Sequence, residues 1–405
     1  MDVPIRTISE DEFVPFLRAG DASFSAVPSD EDVERSRRLV ELDRCFAAFD
    51  GDEIVGTAAV ITMPMTIPGG ELEVGYVTGV GVKPTHRRRG INTELMRTQL
   101  GQARERAEAV DVLYASEGGI YGRFGYGLAT LGLSMEMESG RSDFVHGYEP
   151  AGSMRLVEWN DALPDALAVH GAVRPGRPGM VALDEARLED TLHEHGPDKE
   201  LPLFAALHDG PRGVDGYVLY RVRHEWTTGI PRSLLMVKDL QATNAGANAD
   251  LWRFVFDIDL TERVRAWNRA VDDSLLHLVA EPRRLRATLR DNLWLRLVDV
   301  RAALAARRYA SAGALVLQVL DRFCPWNDGR VRLEASPEGI ASAETTDREP
   351  DVVCGVSDLG AAFLGGTSFR RLHRAGLVEE RTEGALTRAD ALFSWDPAPW
   401  CPYVF

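Results

Sequence analysis

Residues 80–91 read VGVKPTHRRRGI, three consecutive arginines set between an apolar run and a glycine. Tyr76, Val77, Val80 and Val82 belong to a β-rich stretch that Pro84 must end, because proline has no amide hydrogen for a sheet ladder. From Ile91 the pattern changes, and Ile91, Leu95, Met96, Leu100 and Ala103 recur at helical spacing among polar residues. A helix therefore follows a strand directly. The amides of its first turn, Arg88 to Asn92, have no intrahelical partners, the positive end of the helix dipole adds to them, and Gly90 allows close approach to the backbone. Arg87, Arg88 and Arg89 contribute guanidinium forks suited to phosphate oxygens. A bare arginine run is normally a solvated basic turn. Between a strand that ends at proline and a helix that opens at glycine, it reads as an anion site fit for a pyrophosphate.

A second string, SEGGIYGRFGYG from Ser116 to Gly127, places Tyr121 among glycines. By spacing alone such a tyrosine anchors a loop through ring and hydroxyl. A phenol with an unperturbed pKa of about 10 can also serve as a proton donor. His86, inside the arginine loop, reads as phosphate-side or structural. His193 and His195 have the spacing of a metal pair, but no third ligand is evident and a solvated helix end suits them better. The nucleophile-elbow and phosphate-loop motifs are absent, which leaves serine hydrolase and nucleoside triphosphatase chemistry without support.

These residues need a scaffold, and 405 residues suffice for two or three domains. An early helix at Asp30 to Phe46, strands at Ile54 to Thr62, Val74 to Val82 and Val110 to Ala115, and the anion-site helix make residues 1–148 an α/β unit. The polar segment SGRSDFVHGYEPAGS, after the hydrophobic run Leu128 to Met137, marks the first linker. A second unit, 149–292, repeats the order with strands at Gly216 to Val222 and Ser233 to Ala242, a loop TNAGANAD, and a helix from Ala249 to Phe256. Its loop has no arginine run and no proline, and an aspartate stands at its helix start, so no coenzyme is expected there. Residues 293–405 carry a strand at Trp294 to Val300, a helix at Val300 to Arg307 and apolar strands with turns at Asn327 to Gly329 and Ser336 to Gly339. Helices follow at Ser357 to Leu364, Ser368 to Ala375 and Thr387 to Ser394.

The net charge of −16 disfavours nucleic acid and anionic membranes as partners. Cys45, Cys324, Cys354 and Cys401 lack metal-site or disulfide-framework spacing, so reduced thiols and no metal are expected. The start MDVPIRTISEDEF does not resemble a signal peptide and no long apolar run occurs, which predicts a soluble, cytoplasmic protein.

The V-x-V-x-P-x-x-R-R-x-G-I pattern resembles the acetyl-coenzyme A loop of the GCN5-related N-acetyltransferases (GNATs). SEGGIYGRFGYG, with the chain length and the final phenylalanine, resembles the Eis (enhanced intracellular survival) acetyltransferases of actinobacteria. The resemblance covers the whole chain and is strongest from Val74 to Thr130. It implies tandem GNAT-like α/β folds, the second degenerate, followed by a sterol-carrier-like α+β domain, with acetyl-coenzyme A as co-substrate. It implies that backbone groups of Val80, Gly81 and Val82 accompany the pantetheine arm, that those of Arg88, Arg89, Gly90, Ile91, Asn92 and Thr93 hold the pyrophosphate, and that Ser116 and Glu117 line the coenzyme pocket. Tyr121 matches the family's general acid. The C-terminal carboxylate, here of Phe405 in WCPYVF, matches its base.

A terminal carboxylate starts near pKa 3.5, so burial and oriented solvent must raise it. An end containing Trp400, Pro402, Tyr403, Val404 and Phe405 is expected to be buried. Two departures stand out: Asn92 replaces an often apolar residue, and Val404 an often acidic one, which removes a cation contact and bears on the family's aminoglycoside preference. The implied acceptor is an amine of an aminoglycoside-like or polyamine molecule, or a lysine side chain, attacked directly because no cysteine lies in the two strings. The implied assembly is a homo-oligomer, a hexamer built from trimers. Two rivals share these residues: an acetyl-coenzyme A sensor or carrier without turnover, and a transferase of longer acyl groups.

Overall fold

A computed structural model of the chain describes residues 3–145, 147–193 and 198–405. These form two compact units. One comprises the chain up to Thr130 with Asn292–Pro399 and Val404–Phe405; the other comprises Leu131–Asp291 with Trp400–Tyr403.

The first unit is organised around a sheet of β1 (Ile5–Thr7), β2 (Cys45–Asp50), β3 (Glu53–Ile67), β4 (Gly70–Val82), β5 (Val110–Tyr114) and β6 (Gly127–Leu128). The strand Leu293–Leu297 inserts between β5 and β6, antiparallel to both. β1 to β4 are successively antiparallel, and β4 and β5 are parallel. α1 (Phe13–Ser23) covers one face, burying Phe13, Phe16 and Ala19 against Cys45, Ala47 and Ala59. α2 (Asp30–Leu39) follows, with a capping box between Ser29 and Asp32. α3 (Ile91–Glu105) covers the opposite face, and its stripe of Ile91, Leu95 and Met96 packs on Phe46, Ala48, Val60 and Val77. A short turn of helix, α4 (Gly118–Tyr121), follows β5.

The early helix ends at Leu39, short of the expected Phe46, because the apolar run from Cys45 is β2. α1 covers one side of that strand and α3 the other, so its residues are buried without alternation. Such a run cannot be told from a helix by periodicity.

The chain leaves the first sheet after Thr130, before the linker expected near 148, and Leu131–Glu138 joins the second unit's sheet. It re-enters at Asn292 to supply Leu293–Leu297. The rest of the first unit carries the helix Val300–Ala306 and a five-stranded sheet in the order Ala341–Thr345, Gly329–Ala335, Gly313–Leu320, Val352–Gly355, Val378–Glu380. Helices Val356–Phe363, Phe369–Arg374 and Ala385–Phe393 complete it.

The second unit holds a seven-stranded sheet in the order Arg286–Asp291, Leu131–Glu138, Thr261–Ala270, Ser233–Ala242, Gly213–Arg223, Phe204–Gly210, Ser153–Val157. Ser233–Ala242 is antiparallel to Gly213–Arg223 and parallel to Thr261–Ala270, the same relation β4 bears to β3 and β5. Its helix runs Ala245–Phe256, four residues earlier than expected, because the Asn244 side chain caps it by accepting from Ala247 N at 2.9 Å. Trp400, Cys401 and Tyr403 are buried in this unit. Asn268 donates to the Cys401 and Pro402 carbonyls at 3.0 and 3.2 Å, and the Trp400 amide donates to Pro178 O at 2.9 Å. Among the described residues no helix is long and apolar enough to cross a membrane.

Candidate active site

The site is built on the fork between β4 and β5. Their parallel pairing spans only Gly75–Val77 opposite Asp111–Leu113, after which β4 runs on to Val82 while β5 ends at Tyr114. Pairing with β3 also shifts register there, from Gly81 opposite Thr57 to Thr78 opposite Ala59, which inserts one extra residue in β4. Gly79 takes up this bulge at φ 57°, held by the Thr57 hydroxyl donating to its carbonyl at 2.7 Å. The divergence turns the backbone of Val80 to Val82 away from β5 and toward a cavity.

That cavity has a volume of about 400 Å³. On one wall stand Val80, Gly81 and Val82 with Arg87, Arg88 and the helix start Gly90, Ile91, Asn92 and Thr93; on the other stand Ser116, Glu117, Ile120, Tyr121 and Arg123. Gly81 is required by the close approach of α1, since a methyl group there would meet Ser23 Cβ at 2.7 Å. That approach carries Ser23 and Phe24 into the cavity lining.

After β4 the chain makes a short turn at Pro84–His86. Arg87 then folds back, donating to Val82 O at 3.2 Å and to Ser23 O at 2.7 Å, and so clips the end of α1 to the loop. Arg88 sits in the left-handed region at φ 63°, at a cost of about 1–2 kcal/mol for a residue other than glycine. Gly90 caps α3 at φ 84° with no side chain over the helix end. The first intrahelical bond is Glu94 N to Gly90 O at 3.1 Å, so the amides of Ile91, Asn92 and Thr93 precede it and point out of the helix. Asn92 Oδ1 is buried with no hydrogen-bond partner among the described residues.

Tyr121 ends α4. Gly118, at the start of that turn, rests on the Trp294 ring, where a methyl group would stand 3.1 Å from Cζ2. The Tyr121 side chain is 5% exposed and packs edge-on to Tyr126, centroids 6.1 Å apart. Burial raises its phenol above the ordinary value, against an opposing hydrogen bond with Ser116, so the hydroxyl keeps its proton well into the alkaline range.

Two expected site residues lie off the cavity wall. Arg89 donates to Thr85 O at 3.1 Å within its own loop. Phe405 packs its ring edge-on to Tyr76 at 4.7 Å and Tyr114 at 5.3 Å. Tyr76 directly precedes the last β4 residue paired with β5, and Tyr114 closes β5, so the final residue of the chain stands at the fork itself. His86 also lines the cavity, but both ring nitrogens are engaged, by Asp50 at 3.0 Å and Thr85 at 2.8 Å. His193 is half-buried, and His195 lies outside the described residues. Ser23, Phe24, Ile120 and Arg123 went unmarked in the sequence. Ser23 ends α1 and Phe24 follows it, in a segment without a spacing signal, whereas Ile120 and Arg123 stand inside the string that marked Tyr121.

Three family models match the chain: an acetyltransferase (GNAT) domain over residues 4–129, a second acetyltransferase (GNAT) domain over 179–301, and a sterol carrier protein domain over 300–402. An uncharacterized N-acetyltransferase of Streptomyces avermitilis is 40% identical over the full length of both chains. N-acetyltransferase Eis of Mycobacterium tuberculosis is 32% identical over 98% of each. The crystal structure of Eis1 from Mycobacterium abscessus superposes with a TM-score of 0.86 at 33% identity, covering 99% of this chain and all of that one. A GCN5-related N-acetyltransferase from Anabaena variabilis shares the fold at a TM-score of 0.85 and 21% identity, over the whole of both chains.

Proposed function

The chain belongs to the Eis family of GCN5-related N-acetyltransferases, and from that premise we propose that it moves the acetyl group of acetyl-coenzyme A directly onto an amine of a polycationic small molecule or a lysine side chain, with Tyr121 as acid and the Phe405 carboxylate as base. The pantetheine arm lies along Val80–Val82, where the fork leaves the β4 backbone without its β5 partner. The pyrophosphate lies at the open α3 N-terminus beside Arg88. The neutral amine attacks the thioester carbon, forming the C–N bond. Val80 N–H steadies the oxyanion, the C–S bond breaks, and the thiolate takes the Tyr121 proton. The amine loses its proton to the terminal carboxylate. Arg87 fixes the loop to the end of α1 through Nε and Nη2, which donate to two carbonyls, and keeps its other guanidinium hydrogens for phosphate.

The observation that carries the reading is the convergence of an uncapped helix start and a buried, protonated Tyr121 on opposite walls of one cavity. The position of Phe405 at the fork supports the C-terminal role. The test is steady-state consumption of acetyl-coenzyme A with aminoglycosides, polyamines and lysine peptides, comparing Tyr121→Phe and deletion of Phe405 with the wild type. Each change is expected to lower kcat by about 10²–10⁴-fold with coenzyme affinity nearly unchanged. Undiminished turnover in both variants overturns the assignment, and tight coenzyme binding without turnover on any amine replaces it with a sensor or carrier. Longer acyl-coenzyme A donors, run in parallel, test the acyl-length alternative. The hexamer belongs to the same proposal and is read by light scattering.

A further inference from the structure

We infer that Arg123 holds the 3′-phosphate of the coenzyme, on the wall opposite the pyrophosphate loop. The inference rests on the reading of the cavity as the acetyl-coenzyme A site. Coenzyme A carries two separate anionic centres, the pyrophosphate and the ribose 3′-phosphate, and each needs its own donors. The three loop arginines do not supply them equally. Arg87 gives its Nε and one Nη2 hydrogen to the Val82 and Ser23 carbonyls, which fixes its head against the end of α1 with its other donors unengaged, and Arg89 donates to Thr85 O and is not part of the cavity wall.

Arg88 and Arg123 remain. Both line the cavity, and neither makes a hydrogen bond or an ion pair with any described residue. Arg88 adjoins the open amides of α3 and goes with the pyrophosphate. Arg123 comes from the other wall, directly after the turn that carries Tyr121. Its guanidinium carbon lies 4.8 Å from the centroid of the Phe124 ring, which is 1% exposed and wedged against Phe323 at 5.1 Å. That stack supports the guanidinium by its face and leaves its edge donors for a phosphate.

The test uses calorimetric binding of acetyl-coenzyme A and of 3′-dephospho-acetyl-coenzyme A to the full chain and to Arg123→Gln, Arg123→Lys and Arg88→Gln. The wild type is expected to prefer the 3′-phosphorylated form by about tenfold or more. Arg123→Gln should erase that preference by weakening acetyl-coenzyme A alone, Arg123→Lys should retain part of it, and Arg88→Gln should weaken both ligands while keeping their ratio. The ratio within one preparation does not depend on the fraction folded. A preference that survives Arg123→Gln, or an equal loss for both ligands, overturns the inference. If the wild type binds neither coenzyme, the cavity reading itself fails and takes this one with it.

Discussion

Asp111 lies fully buried in the middle of the β4–β5 sheet, and neither of its carboxylate oxygens has a hydrogen-bond partner among the described residues. It extends over Gly75, where a methyl group would stand 2.4 Å from Oδ1, and it faces Arg296 across the adjoining strand. The cations around it are already matched: Arg44 is paired with Glu108 by two bonds of 2.7 and 2.6 Å, and Arg296 with Asp321. An ionised Asp111 would thus be the odd charge. Burial, with Glu108 nearby, pushes its pKa up to about 7. A carboxyl raised in the folded state binds its proton more tightly there than in the unfolded chain. Its contribution to stability is therefore complete below about pH 4 and is lost as the pH rises toward 7. Asp111→Asn should match the wild type in acid and exceed it at pH 8 by up to ~4 kcal/mol, a difference read by thermal unfolding across that range. A constant difference at all pH values would show that folding leaves the Asp111 pKa unshifted. Nothing in the segment VDVLY disclosed this, because the partners that decide it come from positions 44, 108 and 296.

At the scale of elements, Arg307 joins two helices. It is fully buried with no carboxylate bonded to it among the described residues, and it donates instead to the carbonyls of Phe363 and, at 3.0 Å, Phe393. Those are the last residues of Val356–Phe363 and Ala385–Phe393, so one guanidinium meets the negative ends of two helix dipoles. Burial lowers its pKa to about 10, still charged at neutral pH. Arg307→Met should cost about 3 kcal/mol or more, seen as a lower unfolding temperature, and Arg307→Lys should recover little because an ammonium cannot reach as a fork. Stability unchanged in Arg307→Met would refute this cap. Elements with one clear periodicity, such as α3 and Ser233–Ala242, were legible in the sequence, and the strings around Val80 and Tyr121 named both walls of the cavity. β2 was hidden by burial on both faces. The exchange of Leu131–Glu138 and Leu293–Leu297 between sheets was hidden because both are short apolar runs that suit either sheet; pairing, not propensity, assigns them.

At the scale of the molecule, the two acetyltransferase folds differ most plainly at one helix start. In the first, a glycine cap leaves the amides open. In the second, the Asn244 side chain accepts from one of them, Ala247 N, and the adjacent cavity is lined by Asp215 and by His208, which is clasped between Asp215 at 2.5 Å and Asp250 at 2.8 Å. Burial opposes charge on His208, but the two carboxylates hold its pKa above the ordinary value, so its donors are already taken. Titration calorimetry should find one acetyl-coenzyme A per chain; two equivalents would show that the second fold also binds. The returning strand has a consequence for how the protein is made. On the ribosome the first sheet is left with a bare β5 edge, and the turn bearing Tyr121 without its Trp294 floor, until the about 160 residues from Leu131 to Asp291 have been added. At about 5–20 residues per second that is a wait of roughly 8 to 32 s. The half that carries the candidate site thus cannot mature as a freestanding N-terminal piece, and a nascent chain stalled inside the second unit holds that candidate site incomplete.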